Sequence, residues 1–83
     1  MNSAPHSLPL SQVAEQCSAH IHAVKTDNPT RIRLLGMGIG TGTHIEILRN
    51  RKGDIVLGNG NNRISLGRSI TDHIIVHIQE PSA

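Results

Sequence analysis

The sequence contains no phenylalanine, tyrosine or tryptophan. Grooves that bind proline-rich peptides are usually lined with aromatic side chains, and single-stranded nucleic-acid sites usually stack bases on them. We therefore expect neither a peptide site of the signalling SH3 type nor an RNA-stacking surface. Isoleucine, leucine and valine must fill the core instead, and the β-branched residues among them favour strands.

Cysteine and long apolar runs are also scarce. The single cysteine, Cys17, excludes an internal disulfide and suits a reducing compartment. No stretch approaches the roughly 20 apolar residues of a membrane span, and the first residues lack the pattern of a signal peptide. The net charge of +2 is too weakly basic to indicate a nucleic-acid partner. We therefore expect a cytoplasmic protein that does not bind nucleic acid.

A chain of 83 residues is long enough for one domain with a modest core. The polar residues 1–7 are predicted to form a flexible tail, and residues 8–80 a single domain. Residues 8–14 fit either one or two helical turns, with Ser11 as a possible cap, or an irregular lead-in.

The centre of the chain contains four glycines at alternate positions, which are Gly36, Gly38, Gly40 and Gly42. This run lacks the spacing and the strand-before, helix-after context of a dinucleotide-binding loop. We interpret it instead as a tight connection between a short helix and a strand, with Met37 and Ile39 directed inward.

The helix before these glycines is predicted to begin near Asn28, which can act as its cap, with Pro29 in its first turn. Ile32 and Leu35 are predicted to pack on the sheet, together with Leu34. The arginines of the helix, Arg31 and Arg33, are predicted to remain in solvent.

Residues 17–25 and 43–48 alternate between two faces, which predicts strands. Strands are also predicted over residues 54–57, 63–66 and 73–79, which are bounded by polar or glycine-containing turns. The pair Asn59-Gly60 predicts a hairpin between the third and fourth of them. The fold class is therefore mainly β: a small, partly closed SH3-like barrel of about five strands with one or two short helices. A five-stranded OB-type barrel is the alternative.

Histidine is the abundant reactive side chain, with six copies. His20 and His22 project from one face of a predicted strand, so they form a candidate for weak divalent metal binding. Exposed histidines without a metal role are the more frequent case, because no set of four ligands at structural-zinc spacing is present. Neither a nucleophile in a catalytic context nor a carboxylate pair stands out, so we expect no enzyme and no required cofactor.

Residues 31–48 include the segments RIRLLGMGI and GTHIEIL, which resemble the FeoA family, the small cytoplasmic components of bacterial ferrous iron uptake. The resemblance extends over residues 8–79. Two departures are Thr41 and Ile55, each at a position where the family usually has proline. The resemblance implies an SH3-like fold and no enzymatic activity.

The resemblance also implies a regulatory role at the cytosolic, GTPase-containing part of FeoB, the ferrous iron permease. Any association with the membrane would then be peripheral, through that partner. From their adjacency on the helix and the glycine turn, we predict the contact residues Arg31, Arg33, Met37, Ile39 and Thr41. The alternative is an SH3-like metal-binding module or a regulatory module of an iron-dependent repressor, although the sequence shows no DNA-binding helical unit. The uncharged residues 74–76 further predict a weak homodimer through an open strand edge.

Overall fold

The computed structural model of the chain describes residues 7–79. Six strands and two short helices follow one another in the order β1 (Ser7–Pro9), β2 (Ser18–Val24), α1 (Asn28–Gly36), β3 (His44–Arg51), β4 (Asp54–Asn59), β5 (Asn62–Leu66), α2 (Arg68–Thr71) and β6 (Ile74–Gln79). A 3-10 turn, Leu10–Gln12, follows β1. Residues 1–6, which make up most of the predicted tail, lie outside the described part.

The six strands form one antiparallel sheet in the order β1-β6-β2-β3-β4-β5. This partly open sheet confirms the mainly β, SH3-like fold, but it has six strands rather than about five. The additional strand is β1, which pairs with β6 from Ser7↔His77 to Pro9↔Ile75. Residues 8–14, for which the sequence leaves helical turns or an irregular lead-in open, contain the end of β1 and a single 3-10 turn.

The core is purely aliphatic. Strands β2 to β6 supply most of it, the region of the 3-10 turn adds two side chains, and α1 and the glycine turn add one each. The core residues are Leu10, Val13, Ala19, Ile21, Leu34, Ile39, Ile45, Ile47, Ile55, Leu57, Leu66, Ile74 and Val76. Alternation in β3 and β6 therefore correctly predicts which face is buried.

The first predicted strand is irregular. Its pairing with β6 shifts between Ile21 and Ala23, so His22 is an extra residue in a β-bulge. Ala19 and Ile21 are fully buried, as the alternation predicts, whereas Ala23 beyond the bulge is only partly buried. A bulge breaks the two-residue period, so a pattern read along the strand fails at that point.

The side chain of Asn50 joins the beginning of the domain to the β3–β4 turn. Its amide nitrogen donates to the backbone carbonyls of Ser11 (3.0 Å) and Val13 (2.8 Å), and its amide oxygen accepts from the Gly53 N–H (2.9 Å). One half-buried side chain therefore satisfies three backbone groups that lie outside the strand pairing.

The buried hydroxyl of Thr71 ties α2 to the same turn by donating to the Gly53 carbonyl over 2.6 Å. Gly53 has a φ of +96°, and a Cβ there would lie 2.7 Å from the side chain of Arg68. The turn therefore requires glycine both for its backbone conformation and for the close approach of α2.

The predicted route to a homodimer is wrong. Residues 74–76 belong to β6, which lies between β1 and β2 and thus has no open edge at these residues. The outer strands of the sheet are β1 and β5 instead.

Within residues 7–79, no helix has both the length and the apolar character needed to cross a membrane.

Replacing Asn50 with alanine should destabilise the fold, because it removes three hydrogen bonds and leaves backbone groups without partners. At about 1 kcal/mol for each bond, we expect a loss of roughly 2–3 kcal/mol in the free energy of unfolding. Urea denaturation measures this loss. Asn61→Ala, at the exposed tip of the β4–β5 hairpin, is the control and should change little. Equal effects of the two substitutions would contradict the role assigned to Asn50.

Candidate interaction face

The N-cap of α1 lies one residue earlier than the sequence analysis predicts. Asp27, not Asn28, is the cap: its carboxylate accepts a hydrogen bond from the Thr30 N–H at 3.3 Å. This bond, together with weaker contributions that include the charge of Arg33, lowers the pKa of Asp27. Asn28 instead accepts a hydrogen bond from the guanidinium of Arg31 at 3.2 Å. The cap therefore fixes the residue at which α1 starts.

The helix contributes only one side chain to the core. Leu34 is 1% exposed, whereas Ile32 is 63% and Leu35 is 53% exposed. The prediction that Ile32 and Leu35 pack on the sheet is therefore wrong. Residues two apart on a helix point roughly 200° away from each other, so the burial of Leu34 directs Ile32 toward solvent.

The C-terminal end of α1 forms a Schellman motif. The Ile39 N–H donates to the Leu34 carbonyl (2.8 Å), and the Gly38 N–H donates to the Leu35 carbonyl (3.0 Å), with Gly38 at a φ of +87°. Such a motif brings the residue after the turn against the last turn of the helix. Ile39 and Leu34 accordingly both belong to the core cluster.

The glycine turn then docks on β2 before β3 begins. The Gly42 N–H donates to the Ile21 carbonyl (2.7 Å), and the Thr43 hydroxyl accepts from the Gly40 N–H (3.1 Å). A Cβ on Gly40 would lie 2.7 Å from a methyl carbon of Leu35. The turn is thus a packing element, in agreement with the interpretation of the glycine run as a helix-to-strand connection.

The structure separates the predicted contact residues. Arg31, Arg33 and Thr41 are exposed, and Met37 is 38% exposed rather than directed inward. Ile39 is fully buried, so its inclusion among the contact residues is wrong. Its place after the Schellman turn explains this, because the motif packs it against the core.

Six exposed residues together form what we name the α1 face: Arg31, Ile32, Arg33, Leu35, Met37 and Thr41. The helix carries two arginines and no acidic residue, so this face combines apolar area with positive charge. A shallow groove runs beside it between α1 and β2, lined by His22, Ala23, Val24, Arg31, Leu35, Ile39, Gly40 and Thr41. The sequence analysis missed Ile32 and Leu35, because their spacing is also that of a buried helix face.

Three histidines meet on the sheet beside this groove. The ring centroids of His22 and His77 are 4.2 Å apart and nearly parallel, and those of His20 and His77 are 5.3 Å apart and edge to face. The candidate pair His20 and His22 is thus brought together by a third histidine from β6. Sequence reasoning missed His77 because only the pairing of β2 with β6 places it there.

Solved structures share the fold. An iron uptake regulatory protein (FeoA) superposes with a TM-score of 0.78 at 22% identity, covering 88% of this chain and 97% of that one. The FeoA protein from Chlorobium tepidum gives 0.80 at 21% identity, covering 92% and 74%. A manganese-dependent transcriptional repressor gives 0.79 at 18% identity, but the chain covers only 44% of its length.

No curated protein matches the sequence significantly. The family model described as the FeoA domain matches residues 8–78, which is nearly the whole domain. The chain therefore belongs to the FeoA family.

Proposed function

We propose that this chain is a non-enzymatic accessory component of ferrous iron uptake that works in the cytoplasm. Its partner is the cytosolic, GTPase-containing part of an FeoB-type permease, and the α1 face is the contact surface. Family membership supports the link to ferrous iron transport. The contact surface rests on one observation, the exposure of two apolar side chains, Ile32 and Leu35, on a helix of nine residues and of a third, Met37, directly after it.

The exposed apolar side chains favour binding. Complete burial of a leucine, isoleucine or methionine side chain is worth about 1.5–3 kcal/mol, and more than a third of each of Ile32, Leu35 and Met37 is still in water. Covering all three supplies roughly 3 kcal/mol, which is enough to anchor a small interface when shape and charge also fit.

The arginines of the α1 face add selectivity. Arg31 and Arg33 flank Ile32, so they surround the apolar area with positive charge. Charges at the rim of an interface steer association and disfavour partners of the same sign. The complementary surface on the permease is therefore apolar at its centre and acidic at its rim.

A second candidate function follows from the likeness to the manganese-dependent repressor. The same fold in that protein occupies less than half of the chain, so a regulatory module inside a metal-dependent repressor is the alternative. That function needs no permease. The two are distinguished by whether the isolated chain binds the permease domain.

Reversing the charge of both arginines, with Arg31→Glu and Arg33→Glu, should weaken binding to the permease domain about tenfold or more, as expected for a loss of about 1.4 kcal/mol. Co-purification and titration with the cytosolic domain of the same organism's permease, with and without guanine nucleotide, measure this change.

Arg51→Glu, at the end of β3 away from α1, is the matched control for the charge reversal and should bind as the unaltered chain does. The proposed function fails if the unaltered chain does not bind in either nucleotide condition. If Arg51→Glu weakens binding as much as the double reversal, the assignment of the α1 face as the contact surface is wrong, but the proposed function stands.

Ile32→Ser tests the apolar part of the α1 face. Since Ile32 is largely exposed, we expect a change in unfolding free energy within about 0.5 kcal/mol but clearly weaker binding to the permease domain. Leu34→Ala on the same helix should instead cost about 2–5 kcal/mol of stability, because Leu34 is buried. Thermal unfolding and titration separate the two effects. If Ile32→Ser binds the permease domain as tightly as the unaltered chain does, Ile32 is not part of the interface.

A further inference from the structure

The histidines of β2 and β6 form a cluster that the proposed function does not use. His20 and His77 are directly opposite each other in the strand register, and His22 stacks on His77. His44 on β3 is in turn opposite His20. Four imidazoles are therefore contributed by three neighbouring strands, and we call His20, His22 and His77, whose rings are in contact, the histidine cluster.

We propose that the histidine cluster binds one divalent transition-metal ion of the class that prefers imidazole ligands, such as Zn²⁺. Imidazole nitrogen is a favoured ligand of Zn²⁺, Cu²⁺, Ni²⁺ and Fe²⁺, whereas Mg²⁺ and Ca²⁺ prefer oxygen. We therefore expect the histidine cluster to bind an ion of the first group and not Mg²⁺ or Ca²⁺.

The separations of the rings suit a shared ion. A metal about 2.0–2.1 Å from one nitrogen on each of two imidazoles, in tetrahedral geometry, places the ring centroids roughly 5 Å apart. His20 and His77 are already at 5.3 Å. His22 and His77 are at 4.2 Å, so the rings must separate by about 1 Å and turn out of their stack to share the ion.

His22 is the side chain that has to move to complete the site. Within residues 7–79, no three potential ligands already converge on a single point. His22 is exposed, whereas His20 and His77 are half-buried and held at opposite positions in the ladder. The proposal requires His22 to rotate about its side-chain bonds, a movement that needs no change in the backbone of the sheet.

The bulge in β2 explains how His22 reaches His77. The register shifts between Ile21 and Ala23, so His22 has no partner of its own on β6. A bulge re-aims the side chain of its extra residue, and here that side chain lies over the ring of His77.

The test is a calorimetric titration of the full, metal-free chain with Zn²⁺ at neutral pH, with Mg²⁺ as the hard-cation comparison. We expect one Zn²⁺ per chain and no Mg²⁺ binding. His77→Gln and His22→Gln should each lower the Zn²⁺ affinity at least tenfold, since even the loss of an outer-shell partner of a metal ligand costs about that much.

His73→Gln is the matched control, because His73 is exposed and lies outside the cluster just before β6. It should leave the Zn²⁺ affinity unchanged. Since His22 is exposed, His22→Gln should fold even if His77→Gln does not, and thermal unfolding of the metal-free variants checks this.

Three results would overturn the proposal. They are Zn²⁺ affinity unaffected by His22→Gln, an equal loss in His73→Gln, and Mg²⁺ binding as tight as that of Zn²⁺. A loss of stability without a loss of Zn²⁺ affinity in His77→Gln would show that the rings serve only to pack the strands. None of these measurements involves the permease, so they decide this site independently of the α1 face.

Discussion

The whole fold depends on building a core from aliphatic side chains alone. Without aromatic rings, the interior must be filled by many small contributions, and nearly every strand supplies inward-facing isoleucine, leucine or valine. Close packing leaves little space for further groups. The helix α1 can therefore add only Leu34, and the turn after it only Ile39. The same limit that makes the core compact leaves Ile32 and Leu35 outside it, so the candidate interaction face is a direct result of how the interior is filled.

Much of this fold can be predicted from the sequence, and the failures have physical causes. Alternation correctly identifies the buried face of β6 and that of β3 as far as Ile47, but β3 loses the two-residue period where its pairing with β4 shifts between Ile47 and Arg49. It misses β1, which is three residues long and too short to alternate. The prediction of which α1 side chains are buried fails for another reason. A helix of two turns with apolar residues in several directions does not specify which of them faces the sheet, and only the Schellman turn and Ile39 decide it.

The candidate sites were predictable to different degrees. Arg31 and Arg33 are charged and close in sequence, so their exposure follows from their chemistry. His77 is distant from His20 and His22 in sequence, and no local pattern indicates that β6 pairs with β2. The fold alone does not distinguish a transport accessory from a repressor module, since FeoA proteins and a manganese-dependent repressor share it. What distinguishes this chain must therefore lie in its surface side chains.

The pairing of β1 with β6 has a consequence for how this domain can be combined with others. Ser7 lies opposite His77, two residues before the end of β6, so the two ends of the described chain lie side by side on one edge of the sheet. The tip of the β4–β5 hairpin, Gly60 and Asn61, is exposed, so the chain could be cut there without disturbing a core residue. A short peptide joining Gln79 to Ser7, with new ends opened at that tip, would give a circularly permuted domain. For the same reason the domain can be inserted into a surface loop of another protein without forcing that loop apart.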